Sequence, residues 1–429
     1  MSMINLDTID LTDYELYRHG FPHEVFTALR KTAPVWHHPD TAGTQRLGVP
    51  PFWVLSRHAE IWAVGRDAAR FRSAEGPQLI DSPVGMAEGR FPLLAMDAPE
   101  HTRFRALVSK GFTPRSTERL ETNAHEWART ILTDVLDRGQ CEFVHEVAYQ
   151  LPLHMIADIM GIPYADRKWV FDKVDLMLQA MDPQSPMSLE EQATAILETY
   201  QYAHALGEDK RRNPTDDVWT TLTSAQVELP DGTRTQLGEE ELAIFFVVLT
   251  VGGSETTRNA IAGGLVALLE HPDQLEMLRD DPTLVPSAVE EILRWTSPLT
   301  YFRRTAVEDV VIGDQRIKAG DRVTMWFPSA NRDEAVFGDP FRFDITRTHN
   351  LHVAFGAGGP HYCLGANLAR RELKAFLEEL LSLVGDIEII GQPEYSVQGI
   401  ENPITLGFKN LPVHLAPRSV TRLAGHAAT

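Results

Sequence analysis

The segment Phe355-Gly-Ala-Gly-Gly-Pro-His-Tyr-Cys363-Leu-Gly365 brings a single thiol through a glycine-rich loop to the start of a helix. Backbone N–H groups and the positive end of a helix dipole keep a sulfur deprotonated, and glycines let backbone approach a flat ligand closely. Such a place suits an iron–thiolate bond. It suits equally a buried cysteine acting as a small hydrophobe, where free cysteines commonly sit, and on this segment alone both readings stand. A phosphate loop is excluded because the Gly-Lys-Ser/Thr ending is missing, and covalent c-type attachment because there is no Cys-x-x-Cys-His. With only two cysteines in the chain, Cys141 and Cys363, a disulfide scaffold, a cysteine-based zinc site and an iron–sulfur cluster are excluded as well. Any metal role rests on one cysteine.

A second segment, Val251-Gly-Gly-Ser-Glu255-Thr256-Thr257, interrupts an apolar helical stretch. Two adjacent glycines cost a helix interior about 2 kcal/mol relative to alanine, and an acid in so apolar a setting adds desolvation. Local rules broken together suggest a site: the glycines would open a groove for a ligand, with Glu255 and Thr256 as an acid and an alcohol for proton delivery. The alternative is a close helix crossing at the glycines with Glu255 in a buried ion pair. Third, Glu291 and Arg294 in Glu290-Glu291-Ile-Leu-Arg294 share one helical face, a pattern that means little by itself.

The elements that must position these residues read as α+β, mostly α. Helical spacing covers 103–136 with a break at Pro114, and 166–180, 189–205, 239–270 and 283–294. After Cys363, apolar residues from Ala369 to Val384 recur at three and four, with Gly385 placed as a C-cap. Strand patterns lie at 34–37 and 52–55, and a hairpin is expected between 310–312 and 322–327. No repeat or linker divides the chain, so a single domain over 1–429 is expected, with loose ends at 1–10 and 416–429.

The 429 residues, 43% hydrophobic and 23% charged, make an ordinary globular composition. A formal charge of -20 argues against nucleic-acid binding, because a phosphate backbone rewards clustered cations. The first residues have neither the basic nor the apolar part of a signal peptide. The longest apolar run, eight residues at 242–249, falls well short of the roughly 18 that suggest a span. A cytoplasmic protein without a membrane anchor is expected.

Taken in chain order, the three segments resemble the cytochrome P450 family over 10–415. The resemblance implies the helix-rich fold of that family with small β-sheets, and heme b held by Cys363 as axial thiolate, with Phe355 packed near the sulfur. It places His101, Arg105, Arg304 and His361 as cationic partners of the heme propionates, and Gly252 and Gly365 against the heme. It makes Glu291 and Arg294 a structural network with Arg342. Asn331-Arg-Asp333 and Leu351-His-Val-Ala-Phe-Gly356 also look like family signatures. Phe355 stands eight residues before Cys363, one more than the commonest spacing, because Gly359-Pro360 adds a residue; His361-Tyr-Cys-Leu-Gly365 keeps its register.

The activity implied is insertion of one oxygen atom of O2 into a C–H bond, with Glu255 and Thr256 delivering protons. Only 66 residues follow Cys363, so electrons are expected from a separate ferredoxin and an NAD(P)H-dependent ferredoxin reductase. Arg103, Lys110, Arg115, Arg370, Arg371 and Lys374 form either a docking patch for an acidic ferredoxin or an ordinary solvated surface. Candidate pocket walls are 78–83, 176–183, Val248, Gly252, 299–302 (Leu299 and Thr300 among them) and 403–406 with Ile404. They are mostly apolar, which implies a small hydrophobic substrate. Similarity within the family suggests a sterol, branched lipid or terpenoid. The alternatives are a peroxide-driven peroxygenase and a heme-based ligand-binding protein; a peroxygenase of this family would lack the acid–alcohol pair.

Overall fold

The computed structural model describes residues 4–80, 93–112, 114–180, 187–228, 231–398 and 404–418. Helices are α1 (His23–Thr32), α2 (Ala42–Leu47), α3 (His58–Arg66), α4 (Glu100–Val108), α5 (Pro114–Leu136), α6 (Gln150–Ile159), α7 (Tyr164–Ala180), α8 (Leu189–Arg212), α9 (Val218–Ser224), α10 (Glu239–Glu270), α11 (Pro272–Asp280), α12 (Val285–Thr296), α13 (Phe327–Ala330) and α14 (Ala366–Leu383). Strands are β1 (Val35–His38), β2 (Phe52–Leu55), β3 (Phe71–Arg72), β4 (Gln140–Glu142), β5 (Gln226–Glu228), β6 (Arg234–Gln236), β7 (Tyr301–Ala306), β8 (Val310–Ile312), β9 (Gln315–Ile317), β10 (Arg322–Trp326), β11 (Val384–Ile389), β12 (Glu394–Gln398), β13 (Thr405–Asn410) and β14 (Pro412–Pro417).

The long helix α10 is apolar on most sides, and buried residues such as Phe245, Phe246, Ile261 and Leu265 surround its axis, as expected of a helix through the middle of a core. It packs against α6, α8, α12 and α14. In α14, Leu373, Phe376, Leu377 and Leu380 are buried, and this face rests on α5 and α12. The helix that receives the end of the Cys363 loop is therefore fixed between neighbours. Breaks follow local chemistry: Pro114 opens α5 at the position where its missing N–H costs nothing.

The main sheet has the order β1-β2-β10-β7-β3. β10 pairs parallel with β2 and antiparallel with β7, so the expected hairpin between 310–312 and 322–327 does not form. β8 pairs instead with β9 across Gly313-Asp314, because a two-residue turn closes at a smaller loop entropy than the longer connection. Gly385 is not a helix cap. α14 ends at Leu383 and runs directly into β11, where Gly385 stands at a register shift and a Cβ would meet the Pro417 carbonyl at 3.0 Å.

Of the ends expected to be loose, residues 4–10 and 416–418 are tied down. Ile4, Leu6 and Ile9 pack against the core that contains Phe26, Phe52 and Trp326, and the Asp10 carboxylate accepts from the N–H of Gly43 at 3.0 Å. At the other end β14 reaches Pro417, and Arg418 N–H donates to the Leu383 carbonyl at 2.8 Å. The positions 419–429, like wall candidates 81–83, 181–183 and 403, lie outside the described residues.

Candidate active site

The path of the loop before Cys363 is set by three glycines with left-handed backbone, Gly356, Gly358 and Gly359 at φ 89°, 81° and 74°, a region L side chains rarely adopt. They absorb the extra residue of the longer loop. Cys363 N–H then donates to the Phe355 carbonyl at 3.1 Å, so Phe355 keeps its place beside the cysteine despite the insertion. The Cys363 side chain is accessible although protein surrounds it closely, which places it in a recess rather than on an outer face. Burial raises its thiol pKa; the N–H groups of Gly365 and Ala366 and the charges of Arg105 and Arg370 pull the other way. These are the helix-start donors that a thiolate needs. At Gly365 a Cβ would meet nothing within 4 Å, so open space lies over the helix start.

Two arginines, Arg105 and Arg304, and two histidines, His101 and His361, gather near this thiol. His101 and His361 stack with ring centroids 4.3 Å apart. Burial lowers the His101 pKa, with Arg105 and Arg304 adding to the effect. Burial, Arg304, His101 and Arg105 together push His361 down to about 3, and burial lowers Arg304 to about 10. None of the four makes an ion pair with a carboxylate among the described residues. Among the described residues His101 Nε2 is buried with no hydrogen-bond partner, while His361 meets Ser73 Oγ through Nε2 at 3.2 Å and also bonds the Leu93 backbone. The adjacent Arg303 is different: its Nη1 and Nη2 donate to the carbonyls of Leu79 and Glu75 at 3.1 and 2.6 Å.

On α10 the two glycines divide the roles left open by the sequence. Gly253 is a contact: a Cβ there would come within 2.7 Å of Ile156 Cδ1 on α6. Gly252 is an opening, since a Cβ would meet nothing. Val248, Gly252 and Thr256 lie one turn apart on one face, and Thr256 Oγ1 donates to the Gly252 carbonyl at 3.0 Å. Glu255 points elsewhere. Its carboxylate is buried, accepts from Thr405 Oγ1 at 2.5 Å and lies 3.9 Å from Arg258 Nη2; burial raises its pKa, while Arg258 and Thr405 lower it. The buried ion pair weighed against the groove is thus present beside the groove.

Glu291 and Arg294 are fully buried and joined by two bonds of 2.7 Å. The third basic partner is Arg347, not Arg342. Arg347 Nε donates to Glu291 Oε2 at 3.2 Å, whereas Arg342 offers only its backbone carbonyl to Arg294 Nη2, at 3.1 Å, and its side chain is exposed. Asp344 N–H and Asn350 Nδ2 also donate to Glu291, at 2.8 and 3.0 Å, and Asn331 Oδ1 accepts from Val353 N–H at 2.8 Å. The network thus braces the chain entering the Cys363 loop. Residue types could not separate the two arginines, since both follow Asp339 closely in one irregular segment.

The sequence reading also missed a brace on Phe355. Arg370 Cζ stands 4.6 Å over the Phe355 ring while its Nε and Nη2 donate to Glu290 at 2.6 and 3.0 Å, and His352 Nε2 lies 2.9 Å from the same carboxylate. Burial would raise the Glu290 carboxyl, yet these partners hold it at about 2. Among the pocket candidates, Thr300 is buried with its N–H and Oγ1 on the Ile404 carbonyl, at 2.8 and 2.9 Å. Leu299 forms a bridge with Thr405.

Two arginines without a carboxylate ion pair among the described residues, beside two imidazole donors, suit a ligand bearing carboxylates, and a thiol at a helix start suits a soft metal; the fold and site point to the class of heme-dependent enzymes. The comparisons with known proteins agree. The cytochrome P450 family model matches residues 201–383. A steroid C26-monooxygenase of Rhodococcus jostii is 39% identical, the match covering 92% of this chain and 83% of that one. A methyl-branched lipid omega-hydroxylase of Mycobacterium tuberculosis is 37% identical, covering 90% of each. The structure of a Mycobacterium marinum cytochrome P450 in complex with pseudoionone superposes with a TM-score of 0.85 at 36% identity, over 96% of this chain and 100% of that one. The chain belongs to the cytochrome P450 family, and it is a heme-iron monooxygenase.

Proposed function

We propose that the protein hydroxylates an aliphatic carbon of a sterol, methyl-branched lipid or terpenoid, with heme b held by Cys363 as thiolate. The observation that carries the cofactor assignment is, among the described residues, the pair Arg105 and Arg304 without a carboxylate ion pair, with the orphaned Nε2 of His101, next to the only accessible thiol. His101, Arg105, Arg304 and His361 would take the propionates through charge-assisted hydrogen bonds. Gly252 and Gly365 leave the space that a flat macrocycle needs.

When bound, the heme supplies the activation of O2 for insertion of one oxygen atom into C–H while the other leaves as water, using two electrons and two protons. The protein's own residues do the rest. Arg370 and the Glu290–His352 pair fix Phe355 beside the sulfur. Thr256, on the open face of α10, orients a proton donor, and Glu255 passes protons from the buried side. Val248, Leu299, Thr300 and Ile404 contribute to the pocket wall. This acid–alcohol pair favours the oxygenase over a peroxide-driven enzyme or a heme-based ligand-binding protein.

The two named relatives act on a steroid at C26 and on a methyl-branched lipid at the omega position, which supports a substrate presenting a branched aliphatic end. Electrons would come from a ferredoxin served by an NAD(P)H-dependent ferredoxin reductase. The expected basic patch is weaker than its residues suggest. Arg371 and Lys374 pair with Glu121, Arg370 with Glu290 and Arg103 with Glu241. Lys110 donates to the Gln226 carbonyl, and the Arg115 side chain lies outside the described residues. A recess of about 540 Å³ lined by Phe112, Val289 and Asn367 amid these pairs is the proposed docking place, with modest salt dependence. No helix among the described residues is long and apolar enough to cross a membrane.

The test is titration of the purified heme protein with sterols, branched fatty acids and terpenoids, followed by product analysis. A blue-shifted Soret band with a branched aliphatic ligand and hydroxylation near its end are expected. A response confined to polar or aromatic ligands would overturn the substrate assignment.

A further inference from the structure

Glu255 is held from outside its own helix. Thr405 Oγ1 donates to its Oε1 at 2.5 Å, and Thr405 opens β13, the strand continuous with wall candidate Ile404. Backbone bonds tie this strand to the other wall: Thr300 N–H donates to the Ile404 carbonyl at 2.8 Å and Leu406 N–H to the Pro298 carbonyl at 2.9 Å. Alternation along the strand sends the Thr405 side chain to one face and those of Ile404 and Leu406 to the other. β13 lies directly on α10, since a Cβ on Gly407 would come within 2.2 Å of Asn259 Oδ1. A shift of the strand is therefore felt at Glu255. On α10 itself, Glu255 and Thr256 are about 100° apart around the axis, so the carboxyl in its observed position does not face the alcohol.

We infer that Thr405 is a positioning residue for Glu255: its hydroxyl holds the carboxyl on the Arg258 side of α10 and releases it when the pocket strand shifts on substrate binding, coupling pocket occupancy to proton delivery. The inference rests on Glu255 being the acid, as proposed above. Arg258 shares the hold at 3.9 Å and is itself engaged, by Asn259 Oδ1 at 3.3 Å and by the Tyr149 ring at 5.4 Å. Among the described residues, Arg258 on α10 and Tyr149 from the segment before α6 are the titratable groups that act on Glu255, and the contribution from β13 is the uncharged Thr405 hydroxyl. Loss of that hydroxyl removes a bond that favours the ionised carboxyl, so deprotonation should move to higher pH.

The experiment uses the full-length heme protein with Thr405→Val, Thr405→Ser and Glu255→Gln. The infrared band of the protonated Glu255 carboxyl is identified by its loss in Glu255→Gln, which separates it from that of the buried Glu372. Thr405→Val is expected to raise the pH midpoint of that band by about 1 unit, the worth of one hydrogen bond to the charged form. It should also raise several-fold the share of electrons released as peroxide, with the carbon monoxide spectrum unchanged. Thr405→Ser should behave as wild type. An unmoved midpoint in Thr405→Val overturns the inference. If Glu255→Gln leaves the peroxide share at the wild-type level, the acid assignment itself falls and the coupling with it; if Glu255→Gln uncouples and Thr405→Val does not, only the role of Thr405 falls. Should Thr405→Val lose its heme, Thr405→Cys, of similar size and weaker as a donor, is read in its place.

Discussion

Replacing Arg347 with alanine is expected to destabilise the protein by about 2–4 kcal/mol, while Arg342→Ala costs no more than about 0.5 kcal/mol. Arg347 is 10% exposed. It donates to Glu291 Oε2 at 3.2 Å and to the carbonyls of Gly338, Asp339 and Arg342 at 2.8, 3.3 and 3.2 Å. A bond to a charged partner contributes about 1.5–3 kcal/mol; the carbonyl bonds lie nearer the surface, where water replaces much of their worth. The full 3–5 kcal/mol of a stripped buried charge is not reached, because Glu291 keeps Arg294, Asp344 N–H and Asn350. The assay is urea unfolding followed by far-ultraviolet circular dichroism and by heme absorbance. With a slope of about 4 kcal/mol/M for a chain of this size, the Arg347→Ala midpoint should fall by about 0.5–1 M. Equal losses for the two variants, or a larger one for Arg342→Ala, would refute the assignment of Arg347 as the third member of the network.

Two further outcomes follow from Thr256 on the open face of α10 and from the buried Glu372. Thr256→Ala should leave substrate binding and the carbon monoxide spectrum intact while diverting electrons to peroxide, measured as peroxide formed per NAD(P)H oxidised; unchanged coupling would remove Thr256 from proton delivery. Glu372 is buried with Oε2 unpartnered, and burial pushes its carboxyl up to about 8. Between the ordinary value near 4.3 and 8, the folded state keeps a proton that the unfolded state has released, so this group lowers stability by up to about 1.4 kcal/mol per unit as pH rises through that window. Glu372→Gln should therefore gain on wild type by about 3 kcal/mol between pH 5 and pH 8 in denaturant midpoints. A constant difference across that range would show that Glu372 ionises normally.

Much of this architecture was legible because it is local. The 3.6-residue period gave α10 at its observed bounds and placed the break at Pro114, and the glycine-rich segment announced Cys363. What was not legible depends on distant partners. β10 finds β2 some 270 positions away, and no pattern within 322–327 names that neighbour. Glu255 could be read as an acid in an apolar helix, but Thr405, which holds it, lies 150 residues downstream. The same holds for Arg347: both arginines sit in an irregular segment without a period, and only the fold decides which side chain turns inward. The group around His101 was reached through family likeness, because His101 and Arg105 alone look like an exposed helix face.

Whether Cys363 carries heme iron is tested most directly by the absorption spectrum of the purified, dithionite-reduced protein under carbon monoxide. A strongly red-shifted Soret band that is lost in Cys363→Ala is predicted. An unshifted band, no heme band at all, or a shifted band that survives Cys363→Ala would contradict the assignment.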